Sequence, residues 1–202
     1  MRHWWPGPNP RFVLPVLVLS LGSGCIGWFQ YEDATPTVTV GGLGPTDCPP
    51  DWTGTELPPA LRAELETRLR VALDELGVQV ESEIDRKNGG DADVVELISL
   101  SLQLTSPPAT PTSQNTFGFL VDLRIYVESS RADTALPRRL LAHIDAIPAE
   151  AFLVPLVVEE GINLQSYLQE GLQVSIEAEP RSCLRDDLPF QAGYLVDVRP
   201  TS

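Results

Sequence analysis

The sequence predicts a mainly β fold: an antiparallel β-sandwich-like domain carrying one amphipathic helix, with an α+β sheet that packs the helix on one face as the alternative. Three observations lead there. Apolar and polar residues alternate through most of residues 78–199, which marks strands with one buried and one wet face, as antiparallel sheets have. A period of three to four residues occurs at 58–76. Clusters of Gly, Pro, Ser, Asn and Asp separate the apolar runs, the punctuation of a sandwich or of a curled sheet whose open end a helix covers.

Taken in order, residues 26–57 mix Gly, Pro, Thr and Asp with Trp28, Phe29, Tyr31 and Trp52, and read as a tether holding one short strand at 37–40. Gly41, Gly42 and Gly44 lack the Lys and Ser/Thr of a phosphate-binding loop and read as linker. The helix at 58–76 lines Leu61, Leu65, Leu69, Ala72, Leu73 and Leu76 along one face, with Pro58 and Pro59 in its first turn and Gly77 suited to its C-terminal cap. Its other face offers Arg62–Glu66, Glu64–Arg68 and Glu66–Arg70 at i,i+4.

Strands follow by alternation. Val78, Val80 and Ile84 form a first set, and Ile98, Leu100, Leu102 and Leu104 a second. Residues 117–127 place Phe119, Val121, Leu123 and Ile125 on one face; 140–146, 152–158, 172–178 and 190–198 complete seven strands. Residues 106–116 are too polar and Pro-rich to pack and read as a protruding hairpin loop, and 163–168 as a turn.

The N-terminus places Arg2 and Arg11 before ten mostly apolar residues, 12–21, then Gly22, Ser23 and Gly24, then Cys25. Such a charged, apolar, small-residue sequence is a secretory leader, and its apolar run is short of the roughly 20 residues that cross a bilayer. The run with Cys25 resembles the lipobox of bacterial lipoproteins, although Gly22 stands where that family carries an aliphatic residue. The resemblance implies cleavage after residue 24, lipid on the Cys25 thiol and attachment to the membrane through that lipid. Ile26, where an Asp would retain the protein at the inner membrane, implies an outer-membrane location. The expected organisation is a signal peptide at 1–24, a lipid anchor and tether at 25–47, and a β-rich globular domain at 48–202. Trp28, Phe29 and Tyr31 then either lie in the headgroup zone or pack on the domain.

Loss of the leader, which holds two Arg and no acid, takes the net charge from −14 to −16. A surface so acidic repels phosphate backbones and anionic headgroups, so no nucleic-acid partner is expected, and membrane attachment falls to the anchor. With Cys25 lipidated, Cys48 and Cys183 are an even pair in an oxidising compartment, which favours a disulfide; two buried free thiols are the other arrangement.

Catalytic chemistry finds little to stand on. His143 is the single histidine after the leader, on the same strand face as Asp145, and no Gly-x-Ser-x-Gly elbow occurs. One His and two separated Cys do not make a zinc site. Asp85, Asp91, Asp93 and Glu96 surround the turn at 88–90, but Lys87 and Gly89 stand where a calcium loop carries ligands, so the segment reads as a solvated hairpin turn. Asp186, Asp187, Glu159 and Glu160 read as ordinary loop acids. No catalytic residue, metal site or cofactor is expected, and an enzyme is the third-ranked reading.

Residues 58–105, a helix ending Leu-Gly-Val followed by strands, resemble the small α+β lipoproteins that assist lipopolysaccharide or phospholipid transport. From Phe117 onward, with 163–168 between two strands, the chain resembles lipoproteins of myxobacteria-like bacteria whose function is not established. The expectation is therefore a lipid-anchored, non-enzymatic cell-envelope protein that binds or supports an envelope protein or lipid, with a lipid-transport accessory as the alternative.

Overall fold

The structure, a computed structural model, describes residues 28–44, 47–48, 52, 54–88 and 92–200. Its elements are β1 (Phe29–Ala34), β2 (Val38–Val40), α1 (Pro59–Asn88), β3 (Ala92–Leu104), a 3-10 turn (Phe117–Phe119), β4 (Leu123–Ser129), β5 (Arg139–Ile144), β6 (Leu153–Val158), α2 (Leu164–Glu170), β7 (Leu172–Glu177) and β8 (Leu188–Pro200). The chain is mainly β. Its strands form one antiparallel sheet in the order β1-β8-β3-β6-β5-β4-β7, with β2 also paired to β8. α1 touches β7 at one end of this order and β2 and β8 at the other, so the sheet curls round the helix without closing into a barrel.

Apolar side chains fill the space between α1 and the sheet. Leu61, Leu69 and Leu76 from the helix and Ile125, Phe190 and Val196 from the strands are almost wholly buried. β8 shows why the alternation folds this way: Leu188, Phe190, Ala192, Tyr194, Val196 and Val198 all face inward, and the residues between them face out.

Several segments depart from the sequence reading. Residues 29–40, read as tether with one short strand, pair along β8 as two: Phe29↔Val198 to Ala34↔Gly193, then Val38↔Phe190 to Val40↔Leu188. Thr35 bridges them, donating its N–H to the Ala192 carbonyl at 2.9 Å and accepting from the Ala192 N–H at 3.0 Å. Second, α1 does not stop at Gly77, and residues 78–85 are helix instead of strand. Val80 extends the buried stripe one turn beyond Leu76 while Val78 faces solvent. Gly77 serves contact and not capping, because a Cβ there would lie 2.9 Å from the Leu168 side chain of α2.

Third, residues 117–119 form a 3-10 turn, so the strand expected at 117–127 begins at Leu123. Fourth, residues 163–168 are a helix entrance and not a turn: the Asn163 side chain accepts from the Gln165 N–H at 3.1 Å as an N-cap. Of the acids near residues 88–90, Asp85 lies on α1 and Asp93 and Glu96 on β3, so the connection runs from helix to strand and is not a hairpin; residues 89–91, Asp91 included, lie outside the described residues.

Candidate functional site

Residues 1–27, the expected leader and Cys25 among them, lie outside the described residues. Cys48 and Cys183 are joined, with their Cα atoms 5.7 Å apart. The bridge sits at the end of the molecule where β8 begins, among hydrogen bonds between segments far apart in sequence. The Arg181 guanidinium donates to the carbonyls of Gly118 (2.8 Å), Leu120 (3.2 Å) and Ile147 (2.7 Å). Ser182 Oγ donates to the Ser113 carbonyl at 2.9 Å, and Arg185 donates its N–H to the Gln114 carbonyl at 3.1 Å. Thr116 is wholly buried, its hydroxyl donating to the Thr112 carbonyl at 2.8 Å. The segment expected to protrude is thus bound down.

The glycines read as linker belong to the same end. The Gly42 N–H donates to Asp187 Oδ1 at 3.0 Å, and a Cβ on Gly42 would lie 2.2 Å from the Arg185 carbonyl oxygen. Asp187, read as an ordinary loop acid, therefore holds this segment against the loop before β8.

His143 on β5 faces Arg124 of β4 and Val157 of β6 across the strands. Its Nδ1 lies 3.4 Å from Glu159 Oε1, and its side chain is 23% exposed. On the same outer face, Arg124 pairs with Asp122 at 2.8 Å and Asp145 at 2.9 Å. Arg138 stacks 3.6 Å over the Tyr126 ring and pairs with Glu177 at 3.1 Å, and the Tyr126 hydroxyl donates to the same carboxylate at 3.0 Å. Those two donors hold the Glu177 carboxyl below its ordinary range. This face is a ladder of paired charges. Among the described residues, no three His, Cys, Asp or Glu converge to hold a metal ion.

A different surface arises where the sheet forks. β6 pairs with β3 from Leu153↔Gln103 to Leu156↔Leu100, then leaves it and pairs with β5 through Val157 and Val158. The edge of β3 facing the fork is capped further along by Asn163, whose amide donates to the Asp93 carbonyl at 2.8 Å and accepts from the Val95 N–H at 3.0 Å. Between cap and fork, residues 97–99 have no ladder partner on that side among the described residues. A β-bulge falls here, since Leu97 pairs with Val196 and Ser99 with Leu195. It switches the inward positions from Val95 and Leu97 to Leu100, Leu102 and Leu104, and turns Ile98 outward. A groove of about 390 Å³ opens beside Ile98, lined by Glu96, Leu97, Val158, Glu160 and Gly161. Ile98 and Val157 are 45% and 59% exposed, and Leu153 continues the apolar strip along β6.

Another groove, about 310 Å³, lies between α1 and β7 and is mostly polar: Glu66, Thr67, Arg70 and Gln173 line it with Ala63 and Val174. A smaller one, about 210 Å³ and mostly apolar, lies between α1 and the β1–β2 connection, lined by Thr35, Pro36, Val38, Val71 and Ala72. Glu66 Oε1 accepts the Ile176 N–H of β7 at 3.2 Å, whereas Glu64–Arg68 forms the expected helix ion pair at 2.7 Å.

Near the start of β1 the aromatic residues divide. Phe29 and Tyr31 pack against the core, and Trp28 is 64% exposed. Tyr31 donates to Asp33 at 2.7 Å, its ring 6.1 Å from that of Tyr194, which donates to Gln79 of α1. Burial, then the Asp33 hydrogen bond, push the Tyr31 phenol up to about 12, and burial raises Tyr194 as well.

No described helix is long and apolar enough to cross a membrane. Comparison with protein-family models, with curated proteins and with solved structures finds no match.

Proposed function

We propose that this chain is a lipid-anchored cell-envelope protein, attached through Cys25 at the outer membrane, whose domain binds another envelope component without catalysing a reaction. The observation that carries the binding part is the fork between β3 and β6. There an unpaired strand edge lies beside a groove and is flanked by the exposed Ile98 and Val157. Contiguous exposed apolar side chains beside an open edge are the features a partner strand or loop uses for docking. The leader and Cys25 supply the location.

The alternative, an accessory of lipid or lipopolysaccharide transport, needs an apolar cavity between helix and sheet. Packed Leu, Val and Phe side chains fill most of that space; the α1–β7 groove at its margin is polar, and the apolar groove between α1 and residues 35–38 holds only about 210 Å³, less than the roughly 300 Å³ at which ligand pockets begin, which favours the binding module. The test is crosslinking in the native envelope followed by pull-down, comparing the wild type with Ile98→Glu and Val157→Glu. A partner captured by the wild type and lost from both folded variants supports the reading. An unchanged capture, or lipid recovered in stoichiometric amount from the purified domain, overturns it.

A further inference from the structure

The pairing of β1 decides how far the folded domain can stand from a lipid on Cys25. Phe29 is already in register with Val198, and β1 stays paired to Ala34. Four residue steps separate Cys25 from Phe29, so, whatever path they take, the sheet begins within roughly 14 Å of the lipidated residue. The headgroup layer alone is about 5 to 7 Å deep on each side of a bilayer. No room is left for the long tether expected from composition.

One end of the molecule therefore faces the lipid. Besides the start of β1 it holds the end of β8 and the start of β3, which pair at Val95↔Val198, and the last turn of α1, which leads into β3. Trp28 projects there, 64% exposed, directly between the anchor and the sheet. Indole rings partition to the headgroup zone, where one end can be apolar and the other wet. Among the described side chains at this end, Arg86 pairs with Glu83 at 2.6 Å and Arg199 with Glu96 at 2.8 Å, which leaves little free positive charge there to attract anionic lipid.

Building on the lipidation of Cys25 proposed above, we infer that this end is a membrane-docking surface: the domain sits directly on a zwitterionic bilayer with Trp28 in the headgroup layer. The disulfide end then stands about 30 Å away, ten strand residues further along β8.

The experiment uses the full lipidated chain carrying Trp52→Phe, reconstituted into phosphatidylcholine vesicles that contain a lipid with a headgroup-level nitroxide quencher. After leader removal, Trp28 is then the remaining tryptophan. Most of its emission should be lost, and the loss should persist at high salt. The companion chain Trp28→Phe, Trp52→Phe, Thr110→Trp reports from the opposite end and should keep its emission. A palmitate-labelled, vesicle-bound chain with Trp28 unquenched, or with both probes quenched alike, overturns the seating alone. A chain that takes no palmitate label overturns the anchor reading, and the seating with it.

Discussion

The two ends of the molecule are held by different means. At the disulfide end, Cys48–Cys183, the three carbonyl contacts of Arg181 and the Ser113–Ser182 contact join segments more than 30 residues apart. At the opposite end, strand pairing, the exposed ion pairs Glu83–Arg86 and Glu96–Arg199 and the side chain of Asn163 do the work. Loops without a ladder need covalent and charge-assisted links to replace it, whereas strand ends already have their backbone partners. The comparison predicts that the disulfide end carries more of the stability per side chain removed.

The largest effect is expected from Cys48→Ser or Cys183→Ser. The bridge closes a loop of 135 residue steps, worth about 5 kcal/mol as an upper figure on chain entropy. Urea melts of the two single variants should show equal losses, and the double variant no further loss. A loss below about 1 kcal/mol would mean that the hydrogen bonds alone secure that end. Next comes Arg181→Met, which removes charge-assisted donors from three carbonyls at a partly exposed site and should cost about 1 to 3 kcal/mol. Asn163→Ala, on the other side of the comparison, removes an N-cap and the bonds to β3, for about 1 to 2 kcal/mol. Hydrogen exchange should show the Val95 and Gln165 amides losing protection while those of β8 keep theirs. If Asn163→Ala costs more than Arg181→Met, the ranking of the two ends is reversed.

The smallest effect is expected only in alkali. Tyr31 and Tyr194 hold their protons more tightly in the folded chain, so their contribution is complete below the ordinary tyrosine value of about 10 and is lost as pH rises toward 12. Melting temperature should fall between about pH 10 and pH 12, and Tyr194→Phe should flatten that fall. An equally steep decline in the variant would place the alkaline sensitivity elsewhere.

What the sequence made legible follows the reach of each interaction. β8 is readable residue by residue from Phe190 to Val198 because its alternation and its burial coincide there. β3 is readable only from Leu100 to Leu104: residues 92–97 read as the acidic surround of a turn, and at Ile98 a bulge changes the parity of the strand and no residue type announces it. The helix was cut short at Gly77 because the reason for that glycine, Leu168, lies 91 positions away. Residues 106–116 looked unpackable because their partners, among them Ser182 and Arg185, come from the far side of the chain. Two signals were present and passed over: Phe29 and Tyr31 alternate with Gln30 and Glu32, and Asn163 precedes Leu164, Tyr167 and Leu168 at helical spacing. The fork is a property of pairing, not of composition, and nothing local marks it.

The contact between Glu66 and the Ile176 amide bears on how crowded copies of this protein coexist. An outermost strand such as β7 is a template on which a neighbouring chain can add its own strand. Here α1 lies along that strand, and the Glu66 carboxylate takes the amide that a ninth strand would claim. The helix thus caps the sheet at this position as a terminator, and self-assembly through β7 would first have to pull α1 from its core.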